Sequence, residues 1–95
     1  MAHKIRWAPK AVDNLDDICT YIAKDSEFYA AVFVKKIMNI VKNLPDFPLS
    51  GRVVPEFNDE NIRERIYGNY RIVYRLKGDW IEVVTISHSA RLLEE

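Results

Sequence analysis

Between Ile62 and His88 the chain reads as three β-rich runs, I-R-E-R-I-Y, Y-R-I-V-Y-R-L-K and W-I-E-V-V-T-I-S-H, parted twice by two residues, Gly68-Asn69 and Gly78-Asp79. Two-residue connections carrying glycine suit tight hairpin turns, because glycine adopts a positive φ without the steric penalty of a Cβ. The spacing predicts an antiparallel three-stranded meander. It also predicts register: with Gly68-Asn69 as the turn, Tyr67 faces Tyr70, Arg65 faces Ile72 and Arg63 faces Tyr74, while Ile66, Arg71, Val73 and Arg75 share the opposite side. Apolar and basic residues fall on both sides, so one face is expected to be exposed, with its arginines bracketed by tyrosines and branched aliphatics. From Ile62 to Lys77 the basic residues Arg63, Arg65, Arg71, Arg75 and Lys77 stand against Glu64 alone, a local charge of +4 in a chain whose 14 basic and 14 acidic residues cancel.

Upstream, His3 to Trp7 alternates Lys4 and Arg6 with Ile5 and Trp7, the period of a half-buried strand. Pro9 suits the first position of a helix, and Val12, Leu15, Ile18, Cys19 and Ile22 then recur as one apolar stripe, which predicts a helix from about Pro9 to Lys24. Its other face is acidic, with Asp13, Asp16 and Asp17 early in the run, where the helix dipole favours them. Asp25 and Ser26 are N-cap residues for a second helix, from about Ser26 to Asn43. Its stripe is Ala30, Phe33, Ile37, Ile40, Val41 and Leu44, and Pro45 ends it. So short a connection makes the two helices an antiparallel hairpin. From Pro45 to Asn61 three prolines and a glycine break all periodicity, predicting a loop with a short extended piece at Arg52 to Val54, pinned to the core by Phe47, Val53, Val54 and Phe57. The order β-α-α-β-β-β describes a single α+β domain, residues 1–95, with a helical hairpin packed on a mostly antiparallel four-stranded sheet.

Ninety-five residues make one domain of modest stability. A lone cysteine at an apolar helical position suits a buried thiol in a reducing compartment. One cysteine and two histidines supply no metal site, and no cofactor motif is present. No apolar run is long enough to span a membrane, and M-A-H-K-I-R-W lacks a signal-peptide core, so a soluble cytoplasmic protein is expected.

The W-x-x-x-A start at Trp7 to Ala11, L-D-D-I-C-T-Y-I in the first helix, F-P-L-S-G-R and V-P-E in the loop, Y-R-I-V-Y in the meander and the closing S-H-S-A-R together resemble the RelE/ParE family of toxins from bacterial type II toxin–antitoxin systems. The resemblance covers nearly the whole chain and implies two alternative activities. RelE-like members cut messenger RNA on the ribosome, and by similarity Glu56 would be the base and Arg71 the phosphate-binding arginine. His88, one place from the family's histidine, would be the acid. ParE-like members poison DNA gyrase by protein contact, and the two long helices and the F-P-L-S-G-R loop look more like theirs. The displaced histidine, the Glu94-Glu95 tail, which would repel a phosphate backbone, and the neutral net charge favour this ParE-like branch, the plasmid stabilisation proteins.

On that reading Arg63, Arg65, Tyr70, Arg75 and Arg91 are the binding candidates. The resemblance further implies a cognate antitoxin encoded next door, with which the chain would form a hetero-oligomer. A third alternative is a non-toxic relative kept as an interaction module. Each candidate also has a plain structural role open to it. Glu56 would be a solvated loop residue near no other titrating group, Arg71 a salt-bridge partner of Glu64 or Glu82, His88 a capping or packing residue at a strand end, and Tyr70 and Tyr74 sheet aromatics.

Overall fold

A computed structural model describes residues 4–93, so His3 of the first expected strand and the Glu94-Glu95 pair lie outside the described residues. The elements run β1 (Lys4–Trp7), α1 (Pro9–Ala23), α2 (Glu27–Asn43), β2 (Arg52–Val53), β3 (Ile62–Tyr67), β4 (Tyr70–Lys77) and β5 (Trp80–His88). The helices follow from local chemistry. Pro9 opens α1, and the Ser26 hydroxyl caps α2 by accepting from the Tyr29 N–H at 3.1 Å. The first turn of α1 holds no acid, which corrects the dipole argument for Asp13, Asp16 and Asp17. Nor is Val12 part of the inner stripe: it is half exposed, and Ala11 is the α1 residue fully buried against the sheet.

The sheet has five strands, in the order β1-β5-β4-β3-β2. The expected four become five because the extended piece in the loop, Arg52–Val53, pairs antiparallel with β3 and forms an edge strand of two residues. Both hairpin turns hold, with Gly68 and Gly78 each at φ 58°, and every cross-strand pair expected around Gly68-Asn69 is present. β1 joins parallel to β5. The register between β4 and β5 shifts once: Val73 pairs with Thr85 and Tyr74 with Val83, so Val84 is an extra residue in β5. This bulge keeps Ile81, Val83 and Ile86 on the helical side, where a regular strand would have turned Ile86 outward.

The helical hairpin packs Ala11, Phe33, Ile37 and Val41 on Ile72, Val83 and Ile86, and a second cluster joins Leu44, Tyr74 and Ile81. β1 ends at Trp7, and α1 lies beside the rest of the β5 edge. There the Asn14 side-chain oxygen accepts from the Ile86 N–H at 3.1 Å and from the Thr85 hydroxyl at 2.6 Å. One helix residue thus satisfies a donor that the sheet leaves unpaired. Cys19 is half-buried, and burial, then the Asp16 charge, raises its thiol pKa.

The loop before β3 is tied down by Tyr74 rather than by Phe47, which is exposed. The buried Tyr74 hydroxyl accepts from the Gly51 N–H at 2.9 Å and donates to the Pro48 carbonyl at 2.8 Å, while Val54 is fully buried. The glycine of F-P-L-S-G-R is there for space: a Cβ on Gly51 would sit 2.6 Å from the Glu64 carbonyl oxygen and 2.7 Å from the Tyr74 hydroxyl. Gly51→Ala is therefore expected to lose about 1–3 kcal/mol by overpacking. Equilibrium urea unfolding measures it, and an unchanged midpoint would show that the loop simply moves aside.

Candidate functional site

With helices covering one face, the register assigns residues to the other, open face: Arg52 from β2, Glu64 from β3, Arg71, Val73 and Arg75 from β4, and Thr85 and Ser87 from β5. Three of these form an ionic chain that the loop completes. The Glu64 carboxylate, its side chain fully buried, accepts from Arg52 Nε and Arg71 Nε, both at 2.6 Å. Arg71, its side chain 6% exposed, turns its two terminal nitrogens to the two oxygens of Glu56, each at 2.7 Å. This fork-to-fork geometry is the strongest form of a carboxylate pair.

The chain also holds the C-terminal segment. Arg71 donates to the Arg91 carbonyl at 3.2 Å, and Glu56 accepts from the Leu93 N–H at 3.1 Å. Hydrogen bonds from Arg71, then from the Leu93 N–H, bring the Glu56 carboxyl down from 4.5 to about 2, and the same pairing raises Arg71. Glu56 is thus no solitary loop acid, which overturns that expectation. Of the two partners foreseen for Arg71, the structure selects Glu64, while Glu82 pairs with Arg75 at 2.5 Å.

The sign of the pH dependence follows. A carboxyl depressed in the folded state adds stability above its unfolded pKa, near 4.5, and that contribution is lost as pH falls from there towards 2. Glu56→Gln should flatten the loss of stability in this window, read as melting temperature against pH. Parallel curves for the variant and the parent would mean that the pair does not differ between folded and unfolded states.

The other candidates are dispersed. His88 lies on the helical side, opposite Tyr70, with its ring edge-on to that tyrosine at 5.8 Å and its Nδ1 accepting from the Ala90 N–H at 3.2 Å. Tyr70 itself packs edge-on against Phe33 at 5.2 Å. Arg63 donates to the carbonyls of Glu60 and Gly51, and Arg65 to the Ser50 hydroxyl, so both help hold the loop. Arg91 is exposed, beside a cleft of about 660 Å³ that Lys10, Asn14, Phe57, Val73 and Thr85 also line. The structure thus joins Glu56 to Arg71 and keeps His88 across the sheet from them. Arg52 and Glu64 were not among the site candidates. The meander register, which sets Glu64 diagonal to Arg71, was the signal that could have found the buried acid. Among the described residues no group of three His, Cys, Asp or Glu side chains converges to hold a metal ion.

Residues 5–93 match the profile of a family described as the ParE toxin of the type II toxin–antitoxin system parDE. A protein of Sinorhizobium fredii (strain NGR234), provisionally named as toxin Y4kP, is 35% identical over 88 residues, which cover 90% of this chain and 88% of that protein. In fold, the chain is similar to a structure of the chromosomal ParDE system from P. aeruginosa, with TM-score 0.73 and 23% identity over 92% of this chain and 96% of that one. It is also similar to the toxin–antitoxin complex RelBE2 from Mycobacterium tuberculosis, with TM-score 0.62 and 17% identity over 93% and 99%.

Proposed function

Since the chain belongs to the ParE toxin family of type II toxin–antitoxin systems, we propose that it arrests growth by binding DNA gyrase in the cytoplasm, and that a cognate antitoxin neutralises it by binding in turn. The observation that supports this over RNA cleavage is the engagement of Arg71. Cleavage by a ribose 2′-hydroxyl needs a base near that hydroxyl, a cation free to meet charge building on the phosphate, and an acid for the leaving oxygen. Here the cation is closed on both sides by Glu56 and Glu64, at 2.6 to 2.7 Å. The base would be a carboxylate with a pKa of about 2, too weak an acceptor to deprotonate a hydroxyl efficiently near neutral pH. The acid would have to reach through the sheet from the helical side. Inhibition through protein contact asks for none of these groups.

The test uses the purified chain and cells expressing it alone. Gyrase supercoiling should be blocked by the parent and by Glu56→Gln alike, and arrested cells should show a DNA-damage response with intact messenger RNA. Co-expression of the antitoxin should relieve the arrest. Cleavage of ribosome-bound messenger RNA with gyrase unaffected would overturn the proposal in favour of the RelE-like activity. Harmless accumulation of folded protein would overturn it in favour of a non-toxic relative.

A further inference from the structure

The open face of the sheet treats its cations differently at its two ends. Around Arg71 the guanidinium groups are met by carboxylates. At the other end, the register of β1, β5 and β4 lays two rows side by side: Lys4, Trp80 and Lys77, then Arg6, Glu82 and Arg75. Glu82 is engaged by Arg75. Among the described residues, Lys4, Arg6 and Lys77 have no carboxylate within ion-pair distance, and the acids that border this end are Asp79 in the β4–β5 turn and Asp59 and Glu60 just before β3. Lys4 and Arg6 instead lie over the Trp80 ring, the ammonium nitrogen 5.6 Å and the guanidinium carbon 4.6 Å from its centroid. The electron-rich face of the indole holds the two side chains in place without neutralising them. All four cations are exposed.

Spacing limits what such an array can bind. Alternate residues along a strand lie about 6.8 Å apart, and strands two places apart about 9.6 Å, so the backbone positions of the four mark a rectangle of about 7 by 10 Å, within which Lys4 and Arg6 lean over Trp80. Arg75 is met by Glu82, and the three unpaired charges, drawn from two strands that do not adjoin, do not converge on one phosphate or one carboxylate. They suit a ligand that repeats its negative charge. A protein ligand would also need an apolar anchor, and the large apolar group between Lys4 and Arg6, Trp80, is already covered by them. We propose that this end of the open face binds the phosphate backbone of duplex DNA without reading its sequence. The choice of DNA among polyphosphates rests on the gyrase reading, since DNA is that enzyme's substrate, and a toxin that touches both would brace the enzyme on it.

The probe is a fluorescein-labelled duplex of mixed sequence, titrated with the purified chain at several salt concentrations and followed by anisotropy. Three phosphate contacts predict a slope of log affinity against log salt of about −3. The triple variant Lys4→Gln/Arg6→Gln/Lys77→Gln should bind at least about tenfold more weakly, with a slope smaller by about 2 to 3. If the triple variant fails to melt cooperatively, Lys77→Gln alone should reduce the slope by about one. No binding by the parent at low salt, or unchanged binding by the folded variant, overturns the proposal. So does competition by polyglutamate or single-stranded RNA as effective as competition by unlabelled duplex. A supercoiling assay on the same preparations separates the two ideas: a chain that binds duplex but leaves gyrase active refutes the gyrase reading and leaves the DNA site standing.

Discussion

Glu64→Ala is expected to lose about 3–5 kcal/mol of folding stability, the range for removing one partner of a buried ion pair. The carboxylate is fully buried and is the common acceptor of Arg52 and Arg71. Without it Arg71, with 6% of its side chain exposed, keeps Glu56 and the Arg91 carbonyl but leaves its Nε–H facing a cavity. Arg52 is 64% exposed and can turn to water, so the cost falls on the buried arginine. Guanidinium unfolding of the variant measures the loss. Removing both groups, Glu64→Ala with Arg71→Ala, should cost less than the sum of the single changes, because the unpaired charge is gone. A single-variant loss below about 1 kcal/mol would place the network in the class of surface pairs.

Ile37→Ala should cost about 2–5 kcal/mol, from the lost transfer energy of three carbons and the cavity left in a packed interior. Ile37 is fully buried at the centre of the α2 stripe, in the cluster that holds Phe33, Val41, Ile72 and Val83. A domain of this size has about 5–15 kcal/mol in total, so either variant consumes a large share and should shift the denaturation midpoint clearly. A cost under about half a kcal/mol would mean that the helix packs through another face.

The helices, the hairpins and the register around Gly68-Asn69 were legible in the sequence because each rests on local chemistry: a proline, a serine cap, a glycine with positive φ, a periodic stripe. What escaped depends on distant partners. The Val84 bulge satisfies a core that needs Val83 and Ile86 on the same side, a requirement no window of β5 expresses. Arg52–Val53 was readable as an extended piece but not as a fifth strand, because its pairing depends on the edge that β3 offers it. Arg71 was readable as a partner of Glu64, since cross-strand geometry brings them together. Glu56 was not, because it lies between β2 and β3, where no strand register sets its approach.

The parallel pairing of β1 with β5 has a consequence for synthesis. Lys4 finds its neighbour at Trp80, and among the described residues β1 forms an edge of the sheet, with no strand but β5 beside it. β1 therefore waits for β5 to be synthesised. At elongation rates of about 5–20 residues per second that interval is several seconds or more. Until it ends, the helical hairpin lacks Val83 and Ile86, the two β5 residues in its main cluster. A ribosome stalled before Trp80 would release a fragment without a closed core, so the toxin fold is assembled only once β5 has been made.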